Sequence, residues 1–212
     1  KGFQRFLDCG GYIGDTTEQA VAHEGALEAC AIFEPDSGNY AQMVRRMDDL
    51  RDRIGERWLF PCAVSESAGI SRFSQGTGSG ALSEQGDGVV QMVSLDQAVP
   101  DFHPTYIKMD IEGAEPAALL GARQIICRDR PDLAVCVYHG VNHIWDIPLL
   151  LDSWGLGYRF FLRCYNSHTI QSTKAHNSMV LVYTWSCTSI THQKKPHGND
   201  VTSNPRPCEN LR

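Results

Sequence analysis

No run of Lys and Arg interrupts this chain beyond a weak cluster near its end, and a formal net charge of -6 gives it nothing with which to neutralise a phosphate backbone. We therefore expect no nucleic-acid partner. No stretch reaches the roughly 18 to 20 apolar residues that cross a bilayer, and no leader of charged then apolar residues opens the sequence, so neither a membrane span nor a secretory signal is expected. No C-x-x-C pair occurs among the eight cysteines. Cys9, Cys30, Cys62, Cys127, Cys136 and Cys164 are scattered, mostly inside apolar runs, which points to buried free thiols in a reducing, cytoplasmic compartment rather than a metal cluster or a disulfide framework. An initiator methionine is also absent. Lys1 stands directly before the first apolar run, which we read as a missing N-terminal portion.

What remains is an ordinary globular composition over 212 residues, 42% hydrophobic and 21% charged, enough for one α/β domain and too short for two of usual size. Phe6 to Cys9 reads as a strand that ends in glycines, and Asp15-Thr16-Thr17-Glu18 as a helix start with a capping side chain. Ala29 to Phe33 is a second strand. Tyr40, Met43, Val44, Met47, Leu50 and Ile54 then recur at helical spacing as far as Gly55. Trp58 to Val64 supplies a third strand, Gly69 to Gly88 a glycine- and serine-rich loop or hairpin, and Val89 to Leu95 a short strand. Thr105 to Ile111 predicts another strand, followed by one helix from Pro116 through Ile125. Asp132 to Tyr138, a helix over Ile144 to Trp154, and strands over Tyr158 to Cys164 and Ser178 to Trp185 complete the pattern. Alternating strands and helices imply a mainly parallel sheet of about seven strands with helices on both faces, and the closing strands imply an antiparallel C-terminal partner. The domain is expected over 1–186, with 187–212 a disordered tail.

The loop Asp8-Cys9-Gly10-Gly11-Tyr12-Ile13-Gly14 joins a strand to a helix, where Gly10, Gly11 and Gly14 would let a nucleotide-like ligand approach the backbone. It departs from G-x-G-x-x-G because Asp8 precedes the first glycine. A carboxylate there repels a pyrophosphate and favours a cationic ligand such as S-adenosylmethionine, which carries an ammonium and a sulfonium. Glu34 closes the second strand, where an acid accepts hydrogen bonds from ribose hydroxyls. In Lys108-Met109-Asp110-Ile111-Glu112-Gly113-Ala114-Glu115, strand alternation places Lys108, Asp110 and Glu112 on one side. Three charges on one side of a central strand must pair, bind ligand or lie in a cleft. Lys108 and Glu112 could pair with each other, while Asp110 is placed beside the donor. His139 ends the next strand, and its ordinary pKa of about 6.5 suits proton abstraction. His139, Asp110 and Glu112 are thus the candidate catalytic residues, and the same three could hold a divalent cation such as magnesium. His143 and Trp145 are candidates for the acceptor pocket, with Trp145 also readable as core.

These motifs resemble the FkbM family of methyltransferases. The likeness rests on Asp8 to Gly14, Phe33-Glu34-Pro35, Ser94-Leu95-Asp96, Ile107 to Glu115 with Leu120-Gly121-Ala122, Tyr138-His139 and Trp145-Asp146-Ile147-Pro148, and it stops past Trp185. The family commonly has Ala-Asn where this chain has Gly11-Tyr12, so an asparagine contact does not carry over. The resemblance implies a Rossmann-like class I methyltransferase sheet and S-adenosylmethionine-dependent O-methylation of a small-molecule, natural-product or sugar acceptor. Two other readings stand beside it: a catalytically degenerate binding module of the same fold, and an NAD(P)-dependent oxidoreductase, against which Asp8 argues.

Overall fold

The computed structural model describes residues 2–74, 81–82, 86, 88–165 and 178–184; the expected tail over 187–212 lies outside them. The chain runs β1 (Arg5–Cys9), α1 (Asp15–Glu24), β2 (Leu27–Phe33), α2 (Ser37–Asp49), a 3-10 turn (Arg51–Arg53) and β3 (Ile54–Phe60). Next come β4 (Ala63–Val64), β5 (Gly69–Ser74), β6 (Ala81–Leu82), β7 (Gly88–Val93), α3 (Leu95–Ala98) and β8 (Tyr106–Met109). The last elements are α4 (Glu115–Leu120), α5 (Arg123–Asp129), β9 (Asp132–Cys136), α6 (His143–Asp152), β10 (Arg159–Tyr165) and β11 (Ser178–Thr184). No helix among the described residues is long and apolar enough to cross a membrane.

Seven strands form the main sheet in the order β10-β11-β9-β8-β1-β2-β3. Alternate residues feed two apolar layers, because successive side chains of a strand point to opposite faces. Phe6, Cys30 and Ile32 pack with Ala20, Val21, Met43 and Met47 of α1 and α2. Leu7, Cys9, Ala31, Phe33, Ile107 and Met109 pack with Leu119, Ile126, Ile147 and Leu151 of the later helices. Both faces are covered, as expected of a parallel α/β sheet. From β1 the chain turns one way to β2 and β3 and later the other way to β8 and β9, so the switch point of the topology lies between β1 and β8, where open α/β sheets bind ligands.

Several local expectations need correction. The C-terminal strand is not antiparallel: β11 pairs in parallel with both β9 and β10. The third strand begins earlier than Trp58, because Ile54 and Gly55 belong to β3 rather than to the preceding helix; Gly55 lies against the Glu28 carbonyl of β2, where a Cβ would collide. β4, β5, β6 and β7 make a separate small sheet, in which β5 pairs antiparallel with β6 and with β7. The single helix expected from Pro116 is broken into α4 and α5 at Gly121, whose missing Cβ admits the Ser65 carbonyl. Asp96, read as part of a family motif, accepts the Gln124 and Ile125 amides at 3.0 Å and so caps α5 from outside it. α1 has no side-chain cap: Gly14 occupies the cap position in the left-handed region at φ 82, and Thr17 is used elsewhere. Cys9, Cys30, Cys62 and Cys136 are buried free thiols, but Cys127 is disulfide-bonded, which spacing alone could not reveal. Trp145 is not core. It is 51% exposed, on the outer face of α6.

Candidate active site at the switch point

Gly10 and Gly11 both donate their amides to the Phe33 carbonyl at 3.0 Å, and Gly14 donates to Gly11. Tyr12, at φ 48, donates to Glu34 Oε2 at 2.8 Å. The loop after β1 is thereby lashed to the end of β2, and these four amides are occupied before any ligand arrives. Glycine is demanded by that packing: a Cβ at Gly10 would overlap the Asp110 carbonyl oxygen, and one at Gly11 would overlap Ile32 Cγ2.

Glu34 is 6% exposed and accepts from Tyr12 and, at 2.8 Å, from Asp36. Burial raises its pKa, and the two backbone amides pull it partly back. Each carboxylate oxygen accepts one of these amides and keeps acceptor capacity for a further donor. The strand-end acid therefore sits beside the glycine loop, as the spacing suggested.

Asp8 is placed differently from expectation. It is 0% exposed, with Lys108 Nζ 3.1 Å from Oδ1 and Thr17 Oγ1 donating to Oδ2 at 3.2 Å. Desolvation raises its pKa and Lys108 opposes the rise; burial presses Lys108 down, yet Asp8 and Asp110 carry its pKa upward overall. Asp8 thus neutralises a buried lysine and is not a bare charge facing a cationic ligand. The Lys108 to Glu112 pairing considered from sequence is absent. Register explains why: Asp8 lies opposite Lys108 on adjacent parallel strands, and the small Ala134 is opposite on the other side. Lys108 also donates to the Gly10 carbonyl at 2.6 Å, which ties β8 to the glycine loop.

β8 ends at Met109, so strand alternation does not place Glu112. A turn does, with Glu112 at φ 56 and Gly113 at φ 101. This turn brings Asp110, Glu112 and His139 together: His139 Nε2 lies 3.5 Å from Asp110 Oδ1 and 3.4 Å from Glu112 Oε2. Sequence reasoning left Glu115 and Tyr138 without a role. Glu115, fully buried at the start of α4, lies 2.8 Å from His139 Nδ1 and accepts the Ile111 amide at 3.0 Å. Tyr138 donates to Asp110 Oδ1 at 2.9 Å. The visible signal was an acid four residues beyond Ile111 in an otherwise apolar helix start. Burial lowers the His139 pKa, but Glu115, Asp110 and Glu112 raise it above its ordinary value. Asp110 is held low despite burial by Lys108, His139 and Tyr138. His143 Nδ1 lies 3.6 Å from Glu115 Oε2, at the margin of the cluster.

A glycine loop with a strand-end acid on one side of the switch point, and an acid–imidazole cluster on the other, can hold a nucleoside and act on a second molecule beside it. A family profile described as the methyltransferase FkbM domain matches residues 8–160. The crystal structure of a methyltransferase FkbM from Methylobacillus flagellatus KT is similar, with a TM-score of 0.58 and 26% identity over 72% of this chain. This chain spans 37% of that protein's length. No curated protein matches. The chain belongs to the FkbM family of methyltransferases.

Proposed function

We propose that this chain binds S-adenosylmethionine across the switch point and moves its methyl group to a hydroxyl of a small-molecule or sugar acceptor. The observation that carries the reading is the pairing of Glu34 with the glycine loop, whose Gly10 packs against the backbone of Asp110 in the turn that bears the acid–imidazole cluster. Glu34 is suited to accept the ribose hydroxyls, and Gly10, Gly11 and Gly14 let the adenosyl moiety approach the loop. Attraction for the sulfonium falls to Glu34 and Asp110, because Asp8 is balanced by Lys108.

In the reaction an acceptor oxygen lone pair forms the new bond to the methyl carbon while the carbon–sulfur bond breaks, leaving its electron pair on a neutral thioether. Placement in line supplies much of the rate. The hydroxyl proton passes to the cluster. From there it leaves to water at the open edge of the cluster, beside Glu112, whose side chain is 36% exposed.

Calorimetry with S-adenosylhomocysteine, the demethylated product, is the direct test. Binding is expected, NADH should give no heat, and Glu34→Ala should weaken product binding about 10- to 100-fold, the loss of one hydrogen bond to a charged acceptor. Heat from NADH and none from the product would point to the oxidoreductase instead, and heat from neither to a degenerate module. In a turnover assay His139→Ala should lower kcat while product affinity holds; unchanged kcat would remove His139 from the acceptor side.

A further inference from the structure

Three acids crowd one imidazole in the cluster at the end of β8. Lys108, which helps hold Asp110 low, is shared with Asp8 at 3.1 Å. Protonated His139 would offset only one of the three acids.

His139 is also arranged as a ligand. Its side chain is 7% exposed, its Nδ1 meets Glu115 Oε1 at 2.8 Å, and its Nε2 is buried without a hydrogen-bond partner between Asp110 Oδ1 and Glu112 Oε2. An imidazole that donates Nδ1–H to a carboxylate and presents a bare Nε2 is the carboxylate–histidine arrangement of metal sites. Ligand atoms about 2.1 Å from an ion and at right angles around it lie about 3 Å apart. The separations of 3.4 and 3.5 Å approach that value and need to contract only slightly. Asp110, Glu115 and His139 are also near enough to one another to share an ion. Glu115, however, approaches the ring at Nδ1, whereas Asp110 and Glu112 approach it at the bare Nε2, which makes Glu115 the orienting group and Glu112 the third ligand.

We propose that His139 Nε2, Asp110 Oδ1 and Glu112 Oε2 hold one divalent cation, with Glu115 orienting the imidazole. Two carboxylates and one nitrogen suit an ion of the manganese class better than magnesium, which prefers oxygen throughout. Glu112 stands in the left-handed region at φ 56, a conformation retained at functional sites when the surroundings enforce it. At this position an ion would polarise the acceptor hydroxyl and ease its deprotonation. That role rests on the methyl-transfer reading above; the binding itself does not.

The test titrates Mn2+ into the whole chain with S-adenosylhomocysteine present and follows loss of the free-ion electron paramagnetic resonance signal. One ion per chain is expected, displaced only weakly by Mg2+. His139→Ala should abolish uptake, and Glu115→Gln should weaken it about 10- to 100-fold, with product binding in calorimetry unchanged in both. Glu112→Gln, at an exposed turn, should also lose uptake and keeps the test decisive if a buried variant fails to fold. No uptake by the intact chain, or equal uptake by Glu112→Gln, overturns the site. Because product binding is read separately, failure of the metal site is distinguishable from failure of the donor site.

Discussion

Lys108→Met should cost about 3–5 kcal/mol of stability, the loss associated with stranding a buried charge. Asp8 is completely enclosed, and its neighbours are Lys108 and the Thr17 hydroxyl. Removing the ammonium leaves the carboxylate to ionise without a counter-charge or to take up a proton, and both options are unfavourable compared with the pair. The Gly10 carbonyl also loses its donor, so the loop that faces the proposed ligand loosens at the same time. A second substitution separates charge from packing. Asp8→Asn in the Lys108→Met background removes the stranded charge, and most of the lost stability should return, because an apolar or neutral replacement of a whole buried pair is often tolerated. Urea unfolding of the four proteins in the cycle gives the coupling. Simple addition of the two single losses would show that the pair does not act as a unit.

Gly10→Ala should destabilise the protein by about 2–4 kcal/mol, combining strain at positive φ with overpacking, and should lower product affinity by two orders of magnitude or more. Gly10 sits at φ 83, where side chains are strained, and its Cβ would occupy the same space as the Asp110 carbonyl oxygen. That oxygen is backbone and cannot swing aside, so the turn after β8 must move. Movement there carries Asp110, Glu112 and the His139 contacts with it. Gly14→Ala offers a milder comparison: the backbone is also left-handed, but the nearest atoms belong to the side chains of Met47, Met43 and Arg46, at 3.0 Å or more, and none is backbone. Denaturation midpoints and product calorimetry should rank Gly10 well above Gly14. Equal effects would mean that conformational strain alone, and not the approach of the two loops, sets the requirement for glycine.

The βα alternation, the apolar faces and the ends of most elements were legible because they depend on neighbouring residues. Phe6 and Leu7 declare a strand by themselves, and Met43 and Met47 one side of a helix. Ile54 misled for the same reason: helical spacing continued onto a residue whose partner, Leu27, lies on another strand. Asp96 looked like a motif without a task because the helix it caps begins some thirty residues later.

Residue identity alone determined that this chain forms an open α/β sheet with an acidic glycine loop, and that Glu34, Asp110, Glu112 and His139 fall at or just beyond the carboxyl ends of strands. It could not determine partners. Whether Asp8 faces a ligand or neutralises Lys108, and whether Glu112 or Glu115 orients His139, depends on strand register and on one left-handed turn. Both are set by packing between segments about a hundred or about twenty-five residues apart. Charge acts over a few ångströms in space, and only the folded chain defines which acids come within that reach.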